Sequence, residues 1–186
     1  QTTMKNFKNF ALAALTLTAT LTAPLAKAGT FDHNDLGAHA QLLRTVEQTG
    51  VKVFINDEYC NTGDFNGLYS SQAGVLLVCQ DNARAYNNRS VTWTANDLDT
   101  IRHEVHHLVQ DCSAGGRGNG RLDTVYGDPN RLANETLGVA KKNAIMSHYA
   151  ANGADAHTLQ LEIEAFSVAA NTTVQLLEND VESFCF

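Results

Sequence analysis

Two histidines and a glutamate near the middle of the chain have the types and spacing that suit metal chemistry. They are His103, Glu104 and His107, in the order His-Glu-x-x-His. On an α-helix, residues four apart lie on one face with their Cβ atoms about 5–6 Å apart, so both imidazoles can bind a single Zn²⁺. The glutamate between them can then reach a water bound to that metal. The pattern predicts a zinc-dependent hydrolytic site.

The segment from Thr94 to Cys112 is predicted to be the helix that positions these residues. At about 100° per residue its apolar side chains fall in one arc, which consists of Leu98, Ile101, Val105, Leu108, Val109 and Cys112. The two ligand histidines and the glutamate fall opposite or beside that arc, so one side can be buried while the other presents the ligands. Thr94 is placed as an N-cap, with Asp97 in a capping-box position. His106 points away from the ligand face.

Two histidines leave zinc short of protein ligands, because a catalytic zinc usually has three plus a water. Three acidic residues are candidates for the third: Glu162, Glu164 and Asp123. A helix is predicted from about residue 156 to 178, and on it Glu164 lies in a polar stripe that is expected to be solvated. Glu162 lies at the edge of the apolar face, where a carboxylate needs a charge partner or a metal. This favours Glu162 and leaves Asp123 and Glu164 as alternatives.

The His-Glu-x-x-His pattern, followed on a later helix by Glu162-Ile163-Glu164-Ala165, resembles the gluzincin branch of the zincin metallopeptidases. The resemblance implies that Zn²⁺ is the cofactor and Glu162 its third ligand. It also implies an α+β, zincin-like fold, with a small mixed sheet packed on the active-site helix and a C-terminal helix that bears the glutamate. In zincins an edge strand pairs with the substrate backbone, which makes residues 73–79 the candidate substrate edge by resemblance. An ordinary core strand is the alternative.

A second resemblance concerns the third ligand. Residues 120–127, Gly-Arg-Leu-Asp-Thr-Val-Tyr-Gly, are similar to the aspzincin signature Gly-Thr-x-Asp-x-x-Tyr-Gly, with Arg121 in place of threonine. In that family the aspartate binds the metal and the tyrosine assists the transition state. Those roles would fall here to Asp123 and Tyr126.

The expected reaction is the same with either third ligand. The metal would lower the pKa of its bound water toward about 7. Glu104 would act as the general base and pass the proton to the leaving amine. A phenolic or cationic group would stabilise the oxyanion. The sequence offers four candidate donors, which are Tyr126, Tyr149, His148 and His157.

The N-terminus is predicted to direct the chain out of the cytoplasm. Two lysines precede an apolar run that ends in Ala26-Lys27-Ala28, a small-x-small cleavage signal. We therefore expect residues 1–28 to be a signal peptide, starting at Met4. Residues 29–186 then form a single domain that is secreted or periplasmic and keeps no membrane anchor.

Cysteine number and net charge both agree with export. Four cysteines fit two disulfides, and of the three possible pairings Cys60–Cys79 with Cys112–Cys185 is favoured. Without the three lysines of the predicted signal peptide, ten basic residues face twenty acidic ones, a net charge of about −10. Such a surface argues against nucleic acid and anionic membranes as partners.

These features predict a secreted zinc metallopeptidase that hydrolyses peptide bonds in a peptide or protein substrate. The alternative is a secreted, disulfide-stabilised zinc-binding or interaction domain without catalysis. Glu104 favours the enzyme, since a structural zinc site needs no general base.

Overall fold

The computed structural model describes residues 34–186 and, of the segment before them, only the strand at residues 12–15. The described chain is an α+β fold of six α-helices and a small mixed sheet, which confirms the predicted fold class at this level. The strands are β1 (Leu12–Leu15), β2 (Lys52–Ile55), β3 (Phe65–Ser70) and β4 (Val75–Val78). The helices are α1 (Leu36–Gln48), α2 (Ala95–Ser113), α3 (Pro129–Thr136), α4 (Val139–Ala151), α5 (Ala156–Asn171) and α6 (Val174–Cys185).

Strand β4 lies inside the sheet. It pairs antiparallel with β3 on one side and parallel with β2 on the other, and β1 pairs antiparallel with the far side of β3. The strand order is therefore β1-β3-β4-β2. All four residues of β4 are buried, as expected for a continuous apolar run covered on both faces. The prediction that residues 73–79 form an open substrate edge is wrong, and the alternative of a core strand is confirmed.

Helix α2 begins at the predicted cap. The Thr94 hydroxyl accepts a hydrogen bond from the Asp97 backbone N–H at 3.1 Å, and the Asp97 carboxylate accepts one from the Thr94 N–H at 2.8 Å. This capping box satisfies donors that the first turn leaves open. Every residue from 100 to 112 is buried, so α2 is the central helix of the fold. Its polar face must therefore be satisfied by protein groups rather than by solvent.

Three breaks separate the helices of the C-terminal half, and two of them have a clear cause in the local backbone. The first is at Gly138, whose φ of 78° favours glycine, between α3 and α4. The second ends α5, because Thr172 adopts an extended backbone and the Thr173 side chain caps α6 by accepting from the Leu176 N–H. The single helix predicted from about residue 156 to 178 is therefore wrong. The break lets α6 pack against α1 and α2, while α5 packs against α2 and α3.

Both favoured disulfides are present. Cys60–Cys79 joins the segment after β2 to the end of β4, and Cys112–Cys185 joins the end of α2 to the end of α6. Two disulfides indicate that the protein matures in an oxidising compartment. The predicted signal peptide, residues 1–28, lies outside the described residues apart from the backbone of β1. In the described part of the chain, no helix has both the length and the apolarity to cross a membrane.

Candidate metal centre

Three side chains from two helices converge in the interior. The Nε2 atoms of His103 and His107 on α2 are 3.1 Å apart. Glu162 on α5 places Oε2 at 3.3 Å from the first and Oε1 at 3.7 Å from the second. Ligand atoms about 2.0–2.1 Å from a tetrahedral zinc lie about 3.3 Å from one another, so these separations suit a shared ion. Among the described residues, this is the group of three that meets metal-ligand spacing.

The packing of α5 against α2 explains why Glu162 meets the histidines. The Arg102 side chain donates to the carbonyl of Ala169, and the Gln110 side chain donates to the carbonyl of Leu161. Residue numbers therefore rise along α2 while they fall along α5, and the two helices are antiparallel. Position 162 comes to lie beside the turn of α2 that carries the two histidines.

Burial sets the protonation of the three candidate ligands. The exposed fractions of His103, His107 and Glu162 are 2%, 0% and 0%. Desolvation lowers the pKa of His103 to about 3 and that of His107 to about 4, so both imidazoles are neutral at pH 7 and keep a lone pair for a metal. Desolvation also raises the pKa of Glu162 to about 7, against the opposing effects of His107 and a hydrogen bond from Tyr149. A buried cation would compensate this costly carboxylate.

The neighbouring Glu104 is fully buried beneath strand β3. A Cβ placed on Gly67 would lie 2.7 Å from Glu104 Cγ, 2.8 Å from its Oε1 and 2.5 Å from Thr100 Cγ2. Real Cβ atoms do not approach side chains this closely, so glycine is what allows the strand backbone to lie against the glutamate. Nothing in the local sequence around Gly67 indicates this contact, because it joins positions far apart in the chain.

The two other candidate ligands lie outside the cluster. Asp123 is exposed, and its backbone N–H donates to the carbonyl of Gln110. Glu164 is fully buried, so the prediction that it is solvated is wrong. Its carboxylate accepts hydrogen bonds from the backbone N–H groups of Val125 and Tyr126 and from two side chains of α2. Glu164 therefore belongs to a second polar cluster beside the first.

Of the four candidate oxyanion donors, Tyr149 is the one that acts on the metal-ligand cluster, where its side chain lowers the pKa of Glu162. Tyr126 instead donates its hydroxyl to Asp180, and His157 contacts the carbonyl of Leu122 through Nε2. Tyr149 is 5% exposed, and the Phe166 ring contacts both Tyr149 and His103, with ring centroids 6.1 Å and 4.5 Å away. The Tyr149 phenol and the Phe166 ring thus lie next to the three candidate ligands.

A cavity of about 450 Å³ opens near the N-terminal end of α5. Thr158 and Leu161 form one wall, and Thr158 precedes Glu162 by one helical turn, on the same face of the helix. Ser71 and Gln72, which follow β3, also line the cavity. The cavity is thus bordered both by the end of β3 and by the helix that carries the third candidate ligand.

A family model described as a domain of unknown function, DUF8637, matches residues 33–186. The chain belongs to the DUF8637 family. The match runs from just before α1 to the end of α6 and includes both helices of the candidate centre, whereas β1 lies outside it. No curated protein and no solved structure matches this DUF8637 chain.

Proposed function

We propose that this DUF8637 protein is a secreted zinc metallopeptidase of the zincin type. The observation that carries the proposal is the convergence of His103, His107 and Glu162 on one point, with Glu104 next to the first histidine on the same helix. Two neutral imidazoles and one carboxylate are a common ligand set of catalytic zinc. The two disulfides support a route through an oxidising compartment, in agreement with the predicted signal peptide at residues 1–28.

Each residue around the centre has a separate role in the proposed hydrolysis. Zinc held by the three ligands would supply Lewis acidity to a water molecule and to the scissile carbonyl. Glu104 accepts a proton from that water as general base and delivers it to the leaving amine. The Tyr149 hydroxyl is the candidate donor to the oxyanion that develops on the carbonyl oxygen. Phe166 and the surrounding burial keep bulk water away, which strengthens these electrostatic interactions.

The edge of β3 is the surface that we propose for the substrate, since β4 is interior. Its backbone passes Glu104 at Gly67, and an open strand edge can pair with an extended peptide. Strand β1 pairs with this edge in the antiparallel direction, with Ala14 opposite Gly67. This pairing supports the capacity of the edge to accept an extended segment. Because β1 falls inside the predicted signal peptide, its removal would free the edge.

Zinc content and peptide cleavage, measured on the mature protein, test the proposal. We expect one zinc per chain in the wild type and in Glu104→Gln, with hydrolysis lost in the variant. Glu162→Ala should lose both zinc and hydrolysis, whereas Glu47→Ala, an exposed position on α1, should change neither. Purified protein with well under one zinc per chain after incubation with excess metal would refute the metal centre.

One observation favours a second candidate, a zinc-binding domain without catalysis. The three candidate ligands are between 0% and 2% exposed, and so buried a group can hold a metal ion without giving a substrate access to it. The Glu104→Gln variant separates the two functions. Loss of hydrolysis with zinc retained supports the peptidase, and a wild-type protein that binds zinc but cleaves no peptide in a diverse library supports the binding domain.

A further inference from the structure

The carboxylate of Glu164 gathers four hydrogen-bond donors in the interior. The backbone N–H groups of Val125 and Tyr126 donate at 2.8–3.0 Å. On α2, His106 Nε2 lies 3.1 Å and Gln110 Nε2 lies 2.8 Å from Oε2. Backbone N–H groups can only donate, and they reach both Oε1 and Oε2, so both oxygens of Glu164 act as acceptors.

This carboxylate fixes the orientation of the Gln110 side-chain amide. One end of the amide faces Glu164 Oε2 at 2.8 Å and the carbonyl oxygen of Leu161 at 3.1 Å. Both neighbours are acceptors, so the amide nitrogen must be at that end. Rotation of the amide by 180° would place its oxygen against two oxygens. The Gln110 Oε1 atom consequently faces the other way.

Gln110 Oε1 lies 2.7 Å from His107 Nδ1. An amide oxygen only accepts hydrogen bonds, so Nδ1 must carry the proton of the neutral imidazole. The lone pair is then on Nε2, the atom that faces His103 and Glu162. We infer that Gln110 is the positioning residue of the centre, oriented by Glu164 so that it holds His107 in the tautomer that can bind a metal. This inference rests on the proposed metal centre and adds to it the residues that orient one of its ligands through hydrogen bonds.

His103 has no comparable support among the described residues. Its Nδ1 atom is buried and has no hydrogen-bond partner there. His106 also lacks a partner for Nδ1, although its Nε2 reaches the same oxygen of Glu164 that Gln110 reaches. His106 therefore provides a matched control, because it shares the contact with Glu164 but its side chain makes no hydrogen bond to His107.

The test compares Gln110→Leu with His106→Phe in the full mature protein. Each variant removes one donor to Glu164, and only Gln110→Leu removes the acceptor for His107. Chelator competition measures zinc affinity, and nitrogen-15 NMR of the histidine rings measures the tautomer of His107 in metal-free protein. Gln110→Met serves as a second variant of similar length if Gln110→Leu does not fold.

We expect Gln110→Leu to weaken zinc binding by about 10- to 100-fold, the usual effect of losing such a partner, and His106→Phe to stay within about threefold. In metal-free protein the His107 proton should be on Nδ1 in the wild type and in His106→Phe, and should move to Nε2 in Gln110→Leu. Equal zinc affinity in both variants, or a His107 proton that stays on Nδ1 in Gln110→Leu, would overturn the inference. A protein that binds no zinc refutes the proposed function alone, since the tautomer is read without metal.

Discussion

Replacing Glu162 by glutamine should stabilise the metal-free protein at pH 8 and destabilise the zinc-bound one. Burial raises the pKa of Glu162 from 4.5 to about 7, so between these values the folded state binds more protons than the unfolded state. The contribution of this group to the free energy of unfolding therefore falls as the pH rises through that window. At about 1.4 kcal/mol per pH unit, the full change is on the order of 3 kcal/mol. Glutamine has nearly the same shape as glutamate and does not ionise. The free energy of unfolding of Glu162→Gln therefore does not fall in this way as the pH rises.

Urea denaturation followed by circular dichroism, from pH 5 to pH 8 with a chelator present, measures the effect. We expect the unfolding free energy of wild type minus that of Glu162→Gln to fall from pH 5 to about pH 7 and then to level off. The contribution of the two histidines is present in both proteins and cancels. Saturating zinc should reverse the order at pH 8, because a ligand at 1,000 times its dissociation constant adds about 4.1 kcal/mol to the protein that binds it. A difference that is flat with pH would show that Glu162 is not desolvated. A difference that zinc leaves unchanged would show that Glu162 is not a ligand.

Glu164, two residues further along α5, is the matched control. Its hydrogen bonds hold its pKa below the ordinary value, so its stabilising contribution is present above that value and is lost as the pH falls. Glu164→Gln should therefore destabilise the metal-free protein at pH 8, where Glu162→Gln stabilises it. Two carboxylates on one helix thus give opposite signs in one assay, and equal signs would contradict the protonation states described for both.

Three further predictions concern the surroundings of the centre. Gly67→Ala should reduce hydrolysis at least tenfold with zinc retained, since its Cβ would lie 2.7 Å from Glu104 Cγ; wild-type turnover in a peptide cleavage assay would contradict this contact. Tyr149→Phe should lower kcat by about 10²-fold, as loss of one oxyanion donor does, with zinc content unchanged; steady-state kinetics and metal analysis check both parts, and an unchanged kcat removes Tyr149 from the mechanism. Cys185→Ser should lower the unfolding free energy by about 2–5 kcal/mol, because the Cys112–Cys185 disulfide closes a long loop; thermal denaturation that matches the wild type would count against this role.

Local patterns predicted the features that depend on one segment. The capping box of Thr94 and Asp97, the apolar arc of α2 and the ligand spacing of its two histidines all follow from helical geometry. Glu162 was favoured because a carboxylate at the edge of an apolar face needs a partner, and the structure places it 3.3 Å from His103.

The predictions from the sequence were wrong for segments that are covered by the rest of the protein on more than one side. Helix α5 packs against both α2 and α3, so residues 161–165 are all buried and no stripe of that stretch is solvated. Glu164 was predicted to face solvent, but it faces the polar side chains of α2 instead. Strand β4 likewise has a partner strand on each side. An apolar run in the sequence does not distinguish such a central strand from a strand at the edge of a sheet.

The disulfide between Cys112 and Cys185 has a consequence for the order of maturation. It closes a covalent ring that contains Glu162, while the two histidines lie just outside it on α2. In the reduced chain no covalent bond holds Glu162 near the two histidines, whereas the disulfide of the oxidised chain keeps α5 close to α2. We therefore expect oxidation to precede metal capture, so that the reduced protein binds zinc more weakly than the oxidised one. Zinc uptake compared between reduced and oxidised protein distinguishes this order from its reverse.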